Sequence, residues 1–206
     1  PYYKVAQAAV GANLQSSRGG AMTMHYNALD PEIMDLLSLK NVQAVEQKRI
    51  KDIDYSFGFN EEFARRVAKN ESWMLVDYAE CPTLYEAMYG EDQSKFIEIY
   101  IDVEKNPAIK KTFVNARDVA LKALKEGVET GRIYLHRTDE MNRHTPFKDK
   151  IYSSNLCQEI ALPTKGFNCV SELYKSNWKN AEYIPEIGLC SLGAIVAGNT
   201  QDSEWE

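Results

Sequence analysis

No two cysteines in this chain form the closely spaced C-x-x-C pair from which zinc sites are commonly built. Cys81, Cys157, Cys169 and Cys190 are 76, 12 and 21 positions apart, and His25, His136 and His144 are just as scattered. Zinc sites draw on closely spaced ligand pairs, so no metal site is expected here. No basic, apolar leader is visible at Pro1, and without one a disulfide framework is equally unexpected. Positive charge is short too: 24 Lys and Arg face 30 Asp and Glu, a formal net charge of −6. Adhesion to a polynucleotide needs a basic face, which argues against nucleic acid as a partner. Small nucleotides stay open, because a few backbone amides can hold one anion. The longest apolar stretch near the C-terminus, Leu192 to Gly198, falls well below the roughly 20 residues that cross a bilayer. The expectation is a cytoplasmic protein with no membrane partner.

What is present is ordinary for a globular chain: 206 residues, 44% hydrophobic and 26% charged, enough to bury a core. No repeat, low-complexity tract or Pro/Ser-rich linker divides it, so one large domain, or part of one, is expected. Helix and strand alternate. Val5, Ala8, Ala9 and Ala12 predict a helix from Tyr3 to Ala12, and Ala21 to Tyr26 extends after a polar, glycine-containing stretch. Pro31 to Leu37 reads as a short helix capped by Asp30, Asp54 to Phe59 as a strand, and Asn60-Glu61-Glu62 as the start of another helix. Trp73 to Val76 reads as a short strand and Pro82 to Tyr89 as a helix ended by Gly90. Phe113, Ala116, Ala120, Leu124 and Val128 form an apolar stripe ending before Gly131, which predicts a helix buried along that stripe and followed by a strand from Arg132 to His136. Lys165 to Pro185 is the least patterned segment and reads as a surface loop, with Trp178 and Tyr183 as local packing.

The chemistry concentrates in Ser153-Ser154-Asn155-Leu156-Cys157-Gln158-Glu159-Ile160. An amide, a thiol and a carboxylate occupy alternate residues, and in an extended backbone Asn155, Cys157 and Glu159 would project to one side. On spacing alone the pattern is more often a buried thiol among solvated neighbours. A second candidate is Gln15-Ser16-Ser17-Arg18-Gly19-Gly20, where paired glycines permit close approaches and Arg18 offers a planar fork of donors. As a lone pattern it is a turn.

The surroundings of both motifs carry a resemblance. Ser154 through Thr164, Glu186-Ile187-Gly188-Leu189-Cys190-Ser191-Leu192, Tyr2-Tyr3-Lys4, Arg18-Gly19-Gly20-Ala21, Leu39-Lys40-Asn41, Asp54-Tyr55, Thr130-Gly131-Arg132-Ile133-Tyr134 and His144-Thr145-Pro146-Phe147 resemble, in the same order, the large (α) subunit of class I ribonucleotide reductase. The resemblance implies an α/β fold, part of a ten-stranded α/β barrel built from two five-stranded parallel halves with a catalytic finger loop through its centre. Residues 1–206 would then be a partial catalytic barrel domain, with a specificity loop at about 13–21, the finger loop at about 153–163 and a redox-cysteine strand at about 187–197. By the same resemblance Cys157 carries a thiyl radical that abstracts the 3′ hydrogen of a ribonucleotide. Glu159 is the general base for the 3′-hydroxyl, and Asn155 hydrogen-bonds the sugar. Cys190 is one half of the dithiol that reduces the substrate, its partner lying upstream of Pro1. Gln15, Ser16, Ser17, Arg18 and Gly19 form the loop joining a bound effector to the substrate base: Gln15 and Arg18 read base identity, and Gly19 neighbours the substrate. Cys81 and Cys169 are expected to be inert.

Several family features are missing, including the upstream redox cysteine, the radical-relay tyrosines and the C-terminal cysteine pair, and no initiator Met precedes Pro1. The expectation is an internal piece of an α subunit, binding no cofactor itself. Its partners would be the remaining α segments, a small metal-containing β subunit that supplies the radical, thioredoxin or glutaredoxin as reductant, a nucleotide substrate, and dNTP or ATP effectors. A non-catalytic nucleotide-binding or assembly fragment is the alternative. Cobalamin-dependent reductases share the N-x-C-x-E finger, usually with Pro and Gly between, whereas Leu156 and Gln158 favour the class I form.

Overall fold

Strand positions in the first half of the chain follow from alternation. In the computed structural model, which describes residues 2–12, 20–41, 49–145, 150–158 and 161, β1 (Thr23–Asn27), β2 (Asp54–Phe59) and β5 (Ile133–Arg137) form a parallel sheet with β2 in the middle. Tyr26 pairs with Phe57 and Phe57 with Leu135, so these residues share one face. His25 pairs with Ser56, and Asn27 with Gly58 and on to His136, giving the other face a polar character. On the apolar side Tyr26, Tyr55 and Phe57 are all buried, with the Tyr26 ring 5.8 Å from Tyr55 and 6.5 Å from Phe57. The fold is mixed α/β with a parallel sheet, as the sequence predicts.

The core continues from this sheet into a second one. Helix α3 (Glu61–Lys69) begins where Asn60 accepts the Phe63 N–H at 3.1 Å, and it ends at Asn70 in the left-handed conformation (φ 58°). Its Phe63 lies 5.0 Å from the ring of Trp73 in β3 (Ser72–Val76), which pairs antiparallel with β4 (Lys111–Asn115). Trp73 is fully buried, donates its indole N–H to the Ala28 carbonyl at 2.8 Å and packs on Tyr100 at 5.1 Å. Burying each such aromatic contributes about 1.5–3 kcal/mol, so Phe63, Trp73 and Tyr100 tie the two sheets into one core.

Between β3 and β4 lie α4 (Pro82–Met88), opened by its proline as expected, and α5 (Gln93–Lys105), which buries Phe96, Tyr100 and Val103. Helix α1 (Tyr2–Ala12) lies against the core through Tyr3 and Val10. The predicted Pro31–Leu37 helix is shorter, α2 (Ile33–Leu36), because residues 31 and 32 form a turn in which Asp30 Oδ1 takes the Glu32 N–H at 2.8 Å.

Helix α6 (Ala116–Thr130) has the expected extent, from the Asn115 cap to Gly131 in the left-handed conformation at φ 65°. Its buried face differs from the predicted stripe. Ala116, Val119, Ala123 and Glu126 turn inward and Ala120 is half-buried, whereas Leu124 and Val128 are exposed and Phe113 sits exposed on β4. The two inward alanines let the helix backbone come close, and the larger leucines are left outside.

The chain divides into two compact units, Pro1–Asp139 and Glu140–Glu206, the boundary falling within α7 (Thr138–Arg143). In the first unit Asp139 is fully buried, accepting from Glu61 N–H at 2.8 Å and from Arg137. In the second, Asn142 makes a two-way bond with the Ile151 backbone, donating at 2.9 Å and accepting at 2.8 Å. The predicted loop from Lys165 to Pro185 and the strand at about 187–197 lie outside the described residues. No helix among the described residues is long and apolar enough to cross a membrane.

Candidate active site

Ile151, fixed by Asn142 and fully buried, anchors the chain just before the thiol motif. From there residues 151–155 run without regular structure and then reverse. The Gln158 N–H donates to the Asn155 carbonyl at 3.2 Å, closing a four-residue turn with Leu156 and Cys157 at its tip. Cys157 is exposed and in no disulfide, Leu156 is exposed, and Asn155 is half-buried with its side-chain oxygen accepting the Ser154 hydroxyl at 3.2 Å.

This corrects the geometric half of the sequence argument. The alternation of Asn155, Cys157 and Glu159 presumed an extended backbone, but Asn155 to Gln158 turns, and Gln158 takes a left-handed φ of 66°. Asn155 and Cys157 therefore share a turn instead of one side of a strand. Glu159 and Cys190 lie outside the described residues, as do Gln15, Ser16, Ser17, Arg18 and Gly19 of the second motif. Gly20, the last residue of that motif, is described: a Cβ built there would sit 2.6 Å from the Val10 carbonyl oxygen of α1. No larger residue fits without movement, which gives the paired-glycine signal a physical cause.

Cys81, expected to be inert, is buried beside α4; burial and the nearby Glu80 push its thiol pKa up, against a smaller downward pull from Lys111. A thiol held protonated is a poor nucleophile and a poor ligand. Cys169 lies outside the described residues. Among the described residues no cluster of three or more His, Cys, Asp or Glu could hold a metal ion.

Several of the other motif residues meet in a place the sequence does not announce. Lys40 donates to Asp54 at 2.5 Å and to the Ile53 carbonyl at 2.8 Å, while Arg132 reaches the second Asp54 oxygen at 3.0 Å. Asn41 donates to both carboxylate oxygens of Glu126 at 2.9 Å. Burial alone would raise the Asp54 pKa, but the hydrogen bonds from Lys40 and Arg132 outweigh it and hold the carboxyl below its usual range. Asp54 opens β2 and Arg132 immediately precedes β5, so this cluster clamps the N-terminal end of the parallel sheet.

The described residues form a mixed α/β unit with a parallel sheet and carry an exposed thiol on a tight turn. A family model described as "Ribonucleotide reductase, barrel domain" matches residues 1–205. The chain is 39% identical over 206 residues to the ribonucleoside-diphosphate reductase subunit alpha of Buchnera aphidicola subsp. Schizaphis graminum, covering 98% of this chain and 26% of that protein. It is 36% identical over 206 residues to the subunit of the same name from Haemophilus influenzae, again 98% of the chain and 26% of the relative. Against the ribonucleoside-diphosphate reductase 1 subunit alpha of Escherichia coli K12 it is 39% identical over 172 residues, 82% of the chain and 22% of the relative. The chain belongs to the ribonucleotide reductase barrel-domain family, and it spans about a quarter of the length of the relatives it matches.

Proposed function

We propose that this chain is the central catalytic segment of a class I ribonucleoside-diphosphate reductase α subunit, converting ribonucleotides to deoxyribonucleotides. The single observation that carries the reading is the exposed, unbridged Cys157 thiol at the tip of a turn, in a chain that matches the barrel-domain family from residue 1 to residue 205. A small metal-containing β subunit supplies the oxidising equivalent that turns Cys157 into a thiyl radical.

The substrate's own bonds dictate the remaining roles. C3′ offers no acidic hydrogen, so a hydrogen atom must be removed, and Cys157 takes it. Glu159 accepts the 3′-hydroxyl proton, and Asn155 holds the sugar by hydrogen bonds from its amide. The 2′-hydroxyl leaves as water, two electrons and two protons come from Cys190 and a second cysteine in another part of the subunit, which join as a disulfide, and Cys157 returns its hydrogen atom to C3′. Thioredoxin or glutaredoxin then restores the dithiol. Gln15, Ser16, Ser17, Arg18 and Gly19 couple a dNTP or ATP effector to the choice of base.

Alone, at about a quarter of its relatives' length, the chain does not turn over. Among the described residues the three-stranded sheet ends in β1 and β5, and the edges of a parallel sheet pair with further strands. The test is deoxynucleotide formation by the complete α subunit with β, a reductant and a ribonucleoside diphosphate. Cys157→Ala and Glu159→Gln should each lose turnover while still binding nucleotide. Turnover by Cys157→Ala at the wild-type rate would sink the reading.

A further inference from the structure

We propose that Gln158 is a positioning residue whose left-handed backbone sets the direction of the Cys157 thiol. The inference rests on the reading of Cys157 given above and adds a residue to it. Two non-glycine residues among those described have positive φ, Asn70 at 58° and Gln158 at 66°. Asn70 has a local cause, since it terminates α3 in the position where a left-handed residue closes a helix, and Asn tolerates that conformation well. Gln158 has neither excuse. It follows no helix, and its side chain gives it no preference for the left-handed region.

Two contacts within the turn bear on Gln158. Its backbone N–H reaches the Asn155 carbonyl at 3.2 Å, and its own side-chain amide approaches the same oxygen at 3.5 Å. Main chain and side chain thus converge on one acceptor and bracket Leu156 and Cys157. The peptide linking Cys157 to Gln158 is fixed on one side by that bond and on the other by the sign of φ at Gln158. Reversing that sign would rotate this peptide and with it the direction in which the sulfur points. Strained backbone beside a reactive group survives only when its surroundings enforce it, and an angular error at a reacting atom is costly to rate.

The experiment compares Gln158→Asn, Gln158→Gly and Gln158→Val in the complete α subunit assayed with its β partner, measuring kcat and KM for a ribonucleoside diphosphate. Asn tolerates the left-handed region and keeps an amide, so it should restore most of the rate. Gly adopts the conformation freely but does not enforce it, and should lose several-fold in kcat. Val resists the conformation and should lose about 10- to 100-fold in kcat with little change in KM. The alkylation rate of Cys157, read by mass spectrometry on each folded variant, should change in the same order. The inference is overturned if Val matches wild type, if Gly falls as far as Val, or if the losses appear in KM alone. Cys157→Ser, run alongside, separates the two levels. If it retains turnover, the reading of the site itself fails; if it is inactive while Val matches wild type, only the positioning role is lost.

Discussion

Removing the charge of Asp54 should release one end of the parallel sheet, and the structure sets how much that costs. The Lys40 and Asp54 side chains are only 12% and 15% exposed, and their 2.5 Å contact is backed by the Lys40 bond to the Ile53 carbonyl. A hydrogen bond between charged, largely desolvated partners contributes about 1.5–3 kcal/mol, and losing one partner strands the other. Arg132 is 60% exposed, so its bond to the second oxygen is screened by water and salt. A double-mutant cycle on Asp54→Asn and Lys40→Met, read by urea unfolding, should give a coupling of about 2 kcal/mol. The same cycle with Arg132→Met should give a coupling at or below the error of the measurement. Because the folded-state pKa of Asp54 is depressed, its contribution is present above its unfolded pKa, about 4, and fades as pH falls through the lower folded value. The gap between wild type and Asp54→Asn should therefore shrink from about pH 6 to about pH 3. A coupling larger for Arg132 than for Lys40, or a gap that widens in acid, would refute the reasoning.

Two further substitutions test packing. Gly20→Ala places a Cβ 2.6 Å from the Val10 carbonyl and should cost about 1–3 kcal/mol in a thermal melt, whereas a neutral result would mean that α1 does not press on this glycine. On α6, Val119→Ala removes two fully buried methyl groups and should cost about 2 kcal/mol. Val128→Ala, at a residue 86% exposed, should stay within about 0.5 kcal/mol, and the opposite ranking would restore the face that the sequence stripe predicts.

How much of this was legible depended on whether one local rule had the region to itself. Strand β2 is readable to the residue because aromatic alternation stops at Asn60, a capping side chain followed by two acids. The ends of α6 are readable from Asn115 and Gly131, but its face is not, since hydrophobicity ranks Leu124 above Ala123 while close packing prefers the alanine. Helix α5 hides because Phe96-Ile97 and Ile99-Tyr100-Ile101 are apolar at nearly every position and rich in β-branched residues, blurring the helical period that Phe96, Tyr100 and Val103 obey. Strand β4 hides for a related reason, as Phe113 falls in phase with the helix that follows it. In the thiol motif the residue types are plain from the sequence and the backbone is not. Nothing about glutamine announces a left-handed residue, so alternation read as strand where the chain turns. The clamp at Lys40, Asp54 and Arg132 was visible only as scattered resemblance, because its members lie 14 and 78 positions apart and pair through the sheet.

The most direct measurement of the central claim is a single turnover without external reductant. The prereduced α subunit is mixed with β and a ribonucleoside diphosphate, and deoxynucleotide is counted per active site. Wild type should yield a burst limited by the thiols it carries, and Cys157→Ala should yield none while its thiols stay reduced. Deoxynucleotide from Cys157→Ala in wild-type amount would show that the sulfur on this turn is not where the ribose is activated.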